Sequence, residues 1–284
     1  MPETPYKQFM APYVIPLSPI PTSVKPQNSL TIPVRAVLFD IYGTLFISAS
    51  GDIGRFSQNR NLKTSVNTLL QKYNLPTDPD ALRQQVVQAV LSDHALKKKQ
   101  GADFPEVKID EIWQQVLQVG DLKIVRQFAV EYEMIVNPTY PMPHLCDTIE
   151  TLKMKNIPMG IVSNAQFFTP HLFDLFMDGF PETLGFDPEL IFYSYKYGYA
   201  KPSLYLFDLA AKKLFAKGVH PEEALYVGND VEKDIAPARK TGFKTCLFAG
   251  DDLSLRTGSD KINLGTLKLD ALICDLKQIT DMIS

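Results

Sequence analysis

The chain has 284 residues, 45% hydrophobic and 21% charged, and a formal net charge of −3 from 29 basic and 32 acidic side chains. That is ordinary for a globular protein of one large or two small domains with a normal buried core. No basic stripe stands out, so nucleic acid is not an expected partner, and no apolar run approaches the roughly 20 residues a bilayer-spanning helix needs.

Residues 1–33 form a distinct segment with eight prolines and few charges. Proline fixes φ and removes a donor, so neither a helix nor a central strand is expected here. Nor does the segment carry the basic and uninterrupted apolar regions of a standard secretory signal. Tyr6, Phe9, Tyr13, Val14, Ile15, Leu17 and Ile20 are nevertheless too apolar for a typical disordered tail. Two readings stay open: an extended tail, or a segment lying against the body or a partner.

Val34 to Phe39 is a short apolar run ending at Asp40, which reads as a buried parallel strand, with Gly43 supplying the turn beyond it. From about 53 to 134 the periodicity is helical. Val66, Leu69, Leu70 and Tyr73 share one face, as do Val86, Val87, Val90 and Leu91. Ile109, Ile112, Trp113, Val116 and Leu117 follow, then Ile124, Val125, Phe128 and Ala129. Asp78 and Asp121 read as helix starts. Trp113 is assigned to bundle core, and the run Lys97–Lys99 to a solvated helix end.

From about Pro141 helices and strands alternate. Strands are expected at 159–162, 190–192, 224–227, 245–248 and 271–273, with helices near 145–152, 172–176, 203–217 and 231–241 and another from Leu276. This order implies a doubly wound parallel sheet, an α/β fold in which ligands bind beyond the carboxyl ends of the strands. The residues to watch are therefore Asp40, Ser163, the loop leading to Lys201, and Asn229-Asp230. Cys146, Cys246 and Cys274 have no zinc spacing and read as buried small hydrophobes, consistent with a cytoplasmic location. The four scattered histidines make a His-based metal site an unpromising assignment.

Four stretches carry a family resemblance. Val37 to Leu45, Ile161 to Asn164, Tyr199 to Pro202, and Tyr226 to Asp230 followed by Asp234 resemble, in order, the four motifs of the haloacid dehalogenase superfamily. The resemblance implies a Rossmann-like core at 34–47 and 141–284, with a helical cap inserted at 48–140. It casts Asp40 as a nucleophile that forms a covalent intermediate. Ser163, with Thr44 and Asn164, would bind the transferred group, and Lys201 would be a fixed positive charge at the reaction centre. Asp230 and Asp234 would form the acidic end of a Mg2+ site, with Asp40 and the backbone carbonyl of Tyr42 as further ligands. Caps close over such sites, exclude water and select substrate. Ser48 to Asp52 reads as the hinge, with Gly51 and Gly54 giving it freedom. Arg55 and Arg60 are either substrate contacts or solvated surface.

Two departures matter. Family phosphatases usually carry a second aspartate two residues after the nucleophile, where this chain has Tyr42. Tyrosine, with a reference pKa of about 10, is a poor general acid-base group at neutral pH, so slow turnover of alkyl phosphates is expected. The fourth motif reads Gly228-Asn229-Asp230, which leaves open whether Asn229 or Asp230 faces a metal. Haloacid dehalogenases share Asp-x-Tyr-Gly-Thr, and their halide leaving group needs no proton. The leading expectation is a Mg2+-dependent phosphatase acting on a small phosphorylated metabolite. A 2-haloacid dehalogenase, and a weakly active or non-catalytic binding protein whose tail contacts a partner, are the alternatives. Neither the substrate nor the oligomeric state can be read from the sequence.

Overall fold

The computed structural model describes residues 6–31, 33–48, 60–258 and 269–283. Of the expected hinge Ser48–Asp52, Ser48 is the last residue of a strand, while residues 49–52, Gly54, Arg55 and the side chain of Arg60 lie outside the described residues.

The N-terminal segment corrects one expectation. It contains a short helix, α1 (Lys7–Met10), continued by a 3-10 turn over Ala11–Tyr13, and an edge strand, β1 (Gln27–Asn28). The helix fits because Lys7–Met10 is free of proline and Pro12 falls in the first turn of the 3-10 segment, where its missing N–H is no loss. Tyr6 and Met10 are buried, so the segment lies on the body.

The core begins with β2 (Ala36–Phe39) and β3 (Phe46–Ser48). Four helices follow: α2 (Arg60–Lys72), α3 (Pro79–Lys99), α4 (Ile109–Leu117) and α5 (Leu122–Val136). Asp78 caps α3 by accepting from the backbone N–H groups of Asp80 and Ala81, and Asp121 caps α5 through Lys123 N. Trp113 packs edge-on against Phe128 and Tyr132 inside the bundle, and Lys98 and Lys99 are exposed at the end of α3.

The chain returns through β4 (Thr139–Pro141), which pairs antiparallel with β3. This two-stranded ribbon joins the helical insertion to the core, and it was not expected from the sequence. The rest alternates: α6 (Leu145–Met154), β5 (Met159–Ser163), α7 (Pro170–Met177), α8 (Pro181–Leu184), β6 (Phe186–Tyr193), α9 (Ser194–Tyr197), α10 (Tyr205–Ala216) and β7 (Ala224–Gly228). A π-helical turn at Val231–Ile235 then leads into α11 (Ala236–Lys240), β8 (Lys244–Phe248), β9 (Ala271–Ile273) and a 3-10 turn at Leu276–Asp281.

The main sheet runs β1-β9-β8-β7-β2-β5-β6, parallel throughout except for the antiparallel edge strand β1. Both faces are covered, as parallel sheets require. Val37 and Phe39 of β2 join an apolar core that continues into the bundle through Leu69, Trp113 and Phe128. Ala36 and Leu38 face the opposite layer, with Phe207 and Leu214 of α10. The chain builds outward from β2 on one side through β5 and β6, and on the other through β7, β8 and β9. The carboxyl ends of β2, β5 and β7 therefore meet at the switch point, where a ligand crevice forms.

Of the cysteines, Cys246 is buried and Cys274 partly so, but Cys146 is exposed, contrary to expectation. It lies on α6 between the inward-facing Leu145 and Thr148, and its own position turns to solvent.

Candidate active site

Asp40 stands one residue beyond β2, and its backbone N–H donates to Val227 O of the neighbouring strand. Its Oδ1 accepts from Lys201 Nζ at 2.6 Å and from Ser163 Oγ at 2.8 Å. Its Oδ2 makes no hydrogen bond among the described residues. One carboxylate oxygen is thus clamped and the other is open to a cavity of about 420 Å³. Burial, with the charge of Asp234, pushes the Asp40 carboxyl up to about 6 against the pull of Lys201 and Ser163. It is still ionised at neutral pH.

Lys201 is buried and also donates to Asp234 Oδ1 and, at 3.1 Å, to Tyr226 Oη. Burial alone would lower its pKa, but the carboxylates of Asp234 and Asp40 outweigh that and raise it. The lysine is therefore a permanent cation. Tyr226, buried in β7, lies within hydrogen-bonding distance of both Val162 O and Asp234 Oδ1, as a buried phenol requires. Asp234 also accepts from Asp230 N at 3.0 Å through its Oδ2. The close approach of Asp234 depends on Gly228: a Cβ there would lie 2.5 Å from the Asp234 side chain.

Asp40, Ser163, Lys201 and Asp234 therefore form one bonded cluster at the strand ends. Tyr42, Asn229 and Asp230 line the same cavity. The two expected substrate contacts differ, since Asn164 lines the cavity and Thr44 does not, and both have partners within the protein. Thr44 is fully buried and donates to Asn229 Oδ1 at 3.1 Å. Asn164 accepts from Lys201 N at 2.6 Å and donates to Lys201 O at 3.2 Å. Its amide is spent on holding the lysine loop. Ser163, wholly buried, likewise points its hydroxyl at Asp40.

The Asn229 amide also donates to Ser254 O at 2.6 Å, so both of its polar ends are engaged. Gly43, at φ +82, admits this arrangement, because a Cβ would sit 2.5 Å from Asn229 Nδ2. Asp230 differs. Its Oδ1 caps the π-helical turn, accepting from Glu232 N and Lys233 N, while its Oδ2 makes no hydrogen bond among the described residues. Burial raises its pKa, with Asp234 adding to the effect. Asp40 and Asp230 thus each present one uncommitted carboxylate oxygen. The carboxylates of Asp40 and Asp230, hard oxygen donors with room for water, suit a magnesium ion. Among the described residues no three His, Cys, Asp or Glu side chains form a metal cluster by themselves.

The insertion closes the cavity from above. Pro105 bridges antiparallel to Tyr199, with Glu106 N donating to Gly198 O at 2.9 Å and Ala200 N to Phe104 O at 2.8 Å. This pins the α3–α4 loop to the residues just before Lys201. Glu106 enters the cavity wall and accepts from Ser194 Oγ, Val107 N and Gln166 Nε2. Glu133 of α5 and Asn137 complete the roof. Tyr42 hydrogen-bonds Thr169 Oγ1 at 3.0 Å, and burial raises its phenol. Sequence reasoning missed Glu106, Glu133 and Tyr226. A charge in a loop, as at Glu106, or within an amphipathic helix, as at Glu133, reads as solvated surface, and a tyrosine within an apolar strand reads as core.

The profile of the haloacid dehalogenase-like hydrolases matches residues 34–242. The chain belongs to that family. This haloacid dehalogenase-like hydrolase is 27% identical over 253 residues to the pyrophosphatase PpaX of Oceanobacillus iheyensis, covering 88% of this chain and 97% of the relative. It is 24% identical over 215 residues to a glyceraldehyde 3-phosphate phosphatase of Methanocaldococcus jannaschii, covering 75% and 83%. Among solved structures it resembles a 2-haloacid dehalogenase of Pseudomonas syringae with a TM-score of 0.55 at 19% identity, covering 88% and 97%. That last likeness establishes the shared fold. No described helix is long and apolar enough to cross a membrane.

Proposed function

We propose that this hydrolase is a magnesium-dependent phosphatase acting on a small phosphorylated metabolite through a phosphoaspartyl intermediate on Asp40. The observation that carries the reading is the asymmetry of the Asp40 carboxylate: Oδ1 is clamped by Lys201 and Ser163, and Oδ2 is free toward the cavity. A nucleophile needs that kind of fixed aim, which converts part of the activation entropy into preorganised structure.

Within this reading Asp40 Oδ2 attacks phosphorus, and Lys201 balances charge on both sides of the reaction. Asp234 and Tyr226 keep the lysine ammonium in place, and Asn164 fixes its backbone. Thr44 and Asn229 brace the turn after β2. Mg2+ would be held by Asp230, the Tyr42 carbonyl and Asp40 Oδ1, leaving Oδ2 for the attack; when bound it would screen the negative phosphate from the negative nucleophile. Asp230 is preferred to Asn229 because Asn229 has no uncommitted polar atom. Both curated relatives described above bear phosphatase names, and Asp230 and Asp234 supply the acidic pair such chemistry uses.

Tyr42 favours a second reading, a dehalogenase that displaces halide. A screen of phosphate esters and 2-halo-acids, each with magnesium and with chelator, separates the two. Phosphate release that requires magnesium is the expected outcome. Turnover of a halo-acid in chelator, with every ester inert, would replace this reading with the dehalogenase.

A further inference from the structure

Tyr42 stands where the family's second aspartate is expected, and its buried phenol is a poorer acid than an ordinary tyrosine. The leaving alkoxide of an alkyl phosphate still needs a proton. Five carboxyl groups line the cavity: Asp40, Glu106, Glu133, Asp230 and Asp234. Asp40 is the nucleophile of the proposed reaction. Asp234 is tied to Lys201, Tyr226 and Asp230 N. Asp230 caps a helical turn on the sheet side. Glu106 accepts three hydrogen bonds, through both oxygens. Glu133 alone of the five lies in the roof with an uncommitted oxygen. Its Oε1 accepts from Asn137 Nδ2 at 2.9 Å, and Asn137 Oδ1 accepts in turn from Ser48 Oγ at 3.0 Å. Its Oε2 has no hydrogen-bond partner among the described residues.

We propose that Glu133, presented from the roof by Asn137 and Ser48, donates the proton to the leaving group and so takes the part of the acid missing at Tyr42. The proposal rests on the phosphatase reading. It replaces the expectation, drawn from Tyr42 alone, of a site without a donor. Asp40 Oδ2 forms a bond to phosphorus while the bond from phosphorus to the ester oxygen breaks. The electron pair goes to that oxygen, which takes the Glu133 proton and departs as an alcohol. The Glu133 carboxylate then removes a proton from water as the water oxygen attacks phosphorus. The Asp40–phosphorus bond breaks, and inorganic phosphate and the starting groups are restored. Burial supports the assignment by raising the Glu133 carboxyl, against the opposing hydrogen bond from Asn137, which keeps a larger share of it protonated near neutrality.

The test compares wild type and Glu133→Gln, a nearly isosteric change, on glycerol phosphate and on para-nitrophenyl phosphate with magnesium present. Loss of a general acid costs on the order of 10²- to 10⁴-fold at a step that needs it. Glu133→Gln should lose that much on glycerol phosphate. On para-nitrophenyl phosphate, whose phenolate leaves unassisted, it should release a burst of about one equivalent of nitrophenol and then turn over slowly as the phosphoenzyme waits for its base. Glu133→Asp, which keeps an acid in the roof, should recover part of the glycerol phosphate activity and serves if the amide variant does not fold. An equal fall on both esters without a burst, or no fall at all, overturns the proposal and leaves the phosphatase reading intact. A wild type inert on both esters overturns that reading and this proposal with it.

Discussion

Replacing Asp40 by asparagine should abolish turnover and yet make the metal-free protein more stable at neutral pH. The carboxyl is pushed from its ordinary value of 3.8 up to about 6 by burial and by Asp234. Because the folded pKa lies above the unfolded one, the folded state holds its proton longer. Stability from this group is therefore full below about pH 4, falls as pH rises toward 6, and is lost above that. At about 1.36 kcal/mol per pKa unit the difference amounts to about 3 kcal/mol. Asparagine keeps an Oδ1 able to accept from Lys201 and Ser163 and cannot ionise. It does give up the attraction between Lys201 and the Asp40 charge, so a net gain of about 1–3 kcal/mol is the expected size. Urea denaturation of wild type and Asp40→Asn, in chelator across pH 4 to 8, measures it. The gap should be small at pH 4 and open by pH 7. A variant less stable than wild type at pH 7, or a gap that ignores pH, would show that burial does not dominate the Asp40 carboxyl.

Three further outcomes follow from the same geometry. Gly228→Ala should force Asp234 off Lys201, costing about 1–3 kcal/mol as overpacking does and lowering turnover in a protein that circular dichroism shows to be folded; full activity would mean the Asp234 contact is dispensable. Asp230→Ala should weaken magnesium binding by titration calorimetry, and equal affinity in both proteins would remove Asp230 from the proposed metal site. Deleting residues 1–13 should lower stability by several kcal/mol, because Tyr6 and Met10 are both buried and a large apolar side chain contributes roughly 1.5–3 kcal/mol on burial; turnover of the folded deletion should change little, since none of its described residues lines the cavity at Asp40.

Most of the parallel strands were legible as short apolar runs, and the convergence of Asp40, Ser163 and Lys201 followed from their places beyond the expected strand ends. The helical insertion was legible from its period, and the caps at Asp78 and Asp121 from their chemistry. The ribbon of β3 and β4 was not, since three-residue strands carry too few positions for an alternation to register. Thr44 and Asn164 read as substrate contacts because both sit inside motifs. Only three-dimensional placement shows that their polar atoms are consumed by Asn229 and Lys201. Glu133 was invisible for the opposite reason: it lies in no motif, and its meaning comes from a cavity assembled by residues nearly a hundred positions apart.

The N-terminal segment has a mechanical consequence. A cap joined to its core by two strands has two attachments and can swing about them. Here a third line crosses the gap. Helix α1 packs against α5 of the insertion and α7 of the core, and Tyr6 meets Phe167 and His171 edge-on. Tyr13 donates to Glu131 of α5, the same buried carboxylate that Lys72, at the end of α2, and Tyr73, just beyond it, engage. Further along, Thr22 donates to Ala249 O, and Gln27 and Asn28 pair with β9 at the far edge of the sheet. The segment is thus a strap from the insertion to the far edge of the sheet, anchored at both ends. Lifting the insertion must either carry α1 away from Phe167 or shear it from α5, and both expose apolar surface to water. Any relative movement of insertion and core would expose this surface, so the segment holds the two together over the cavity.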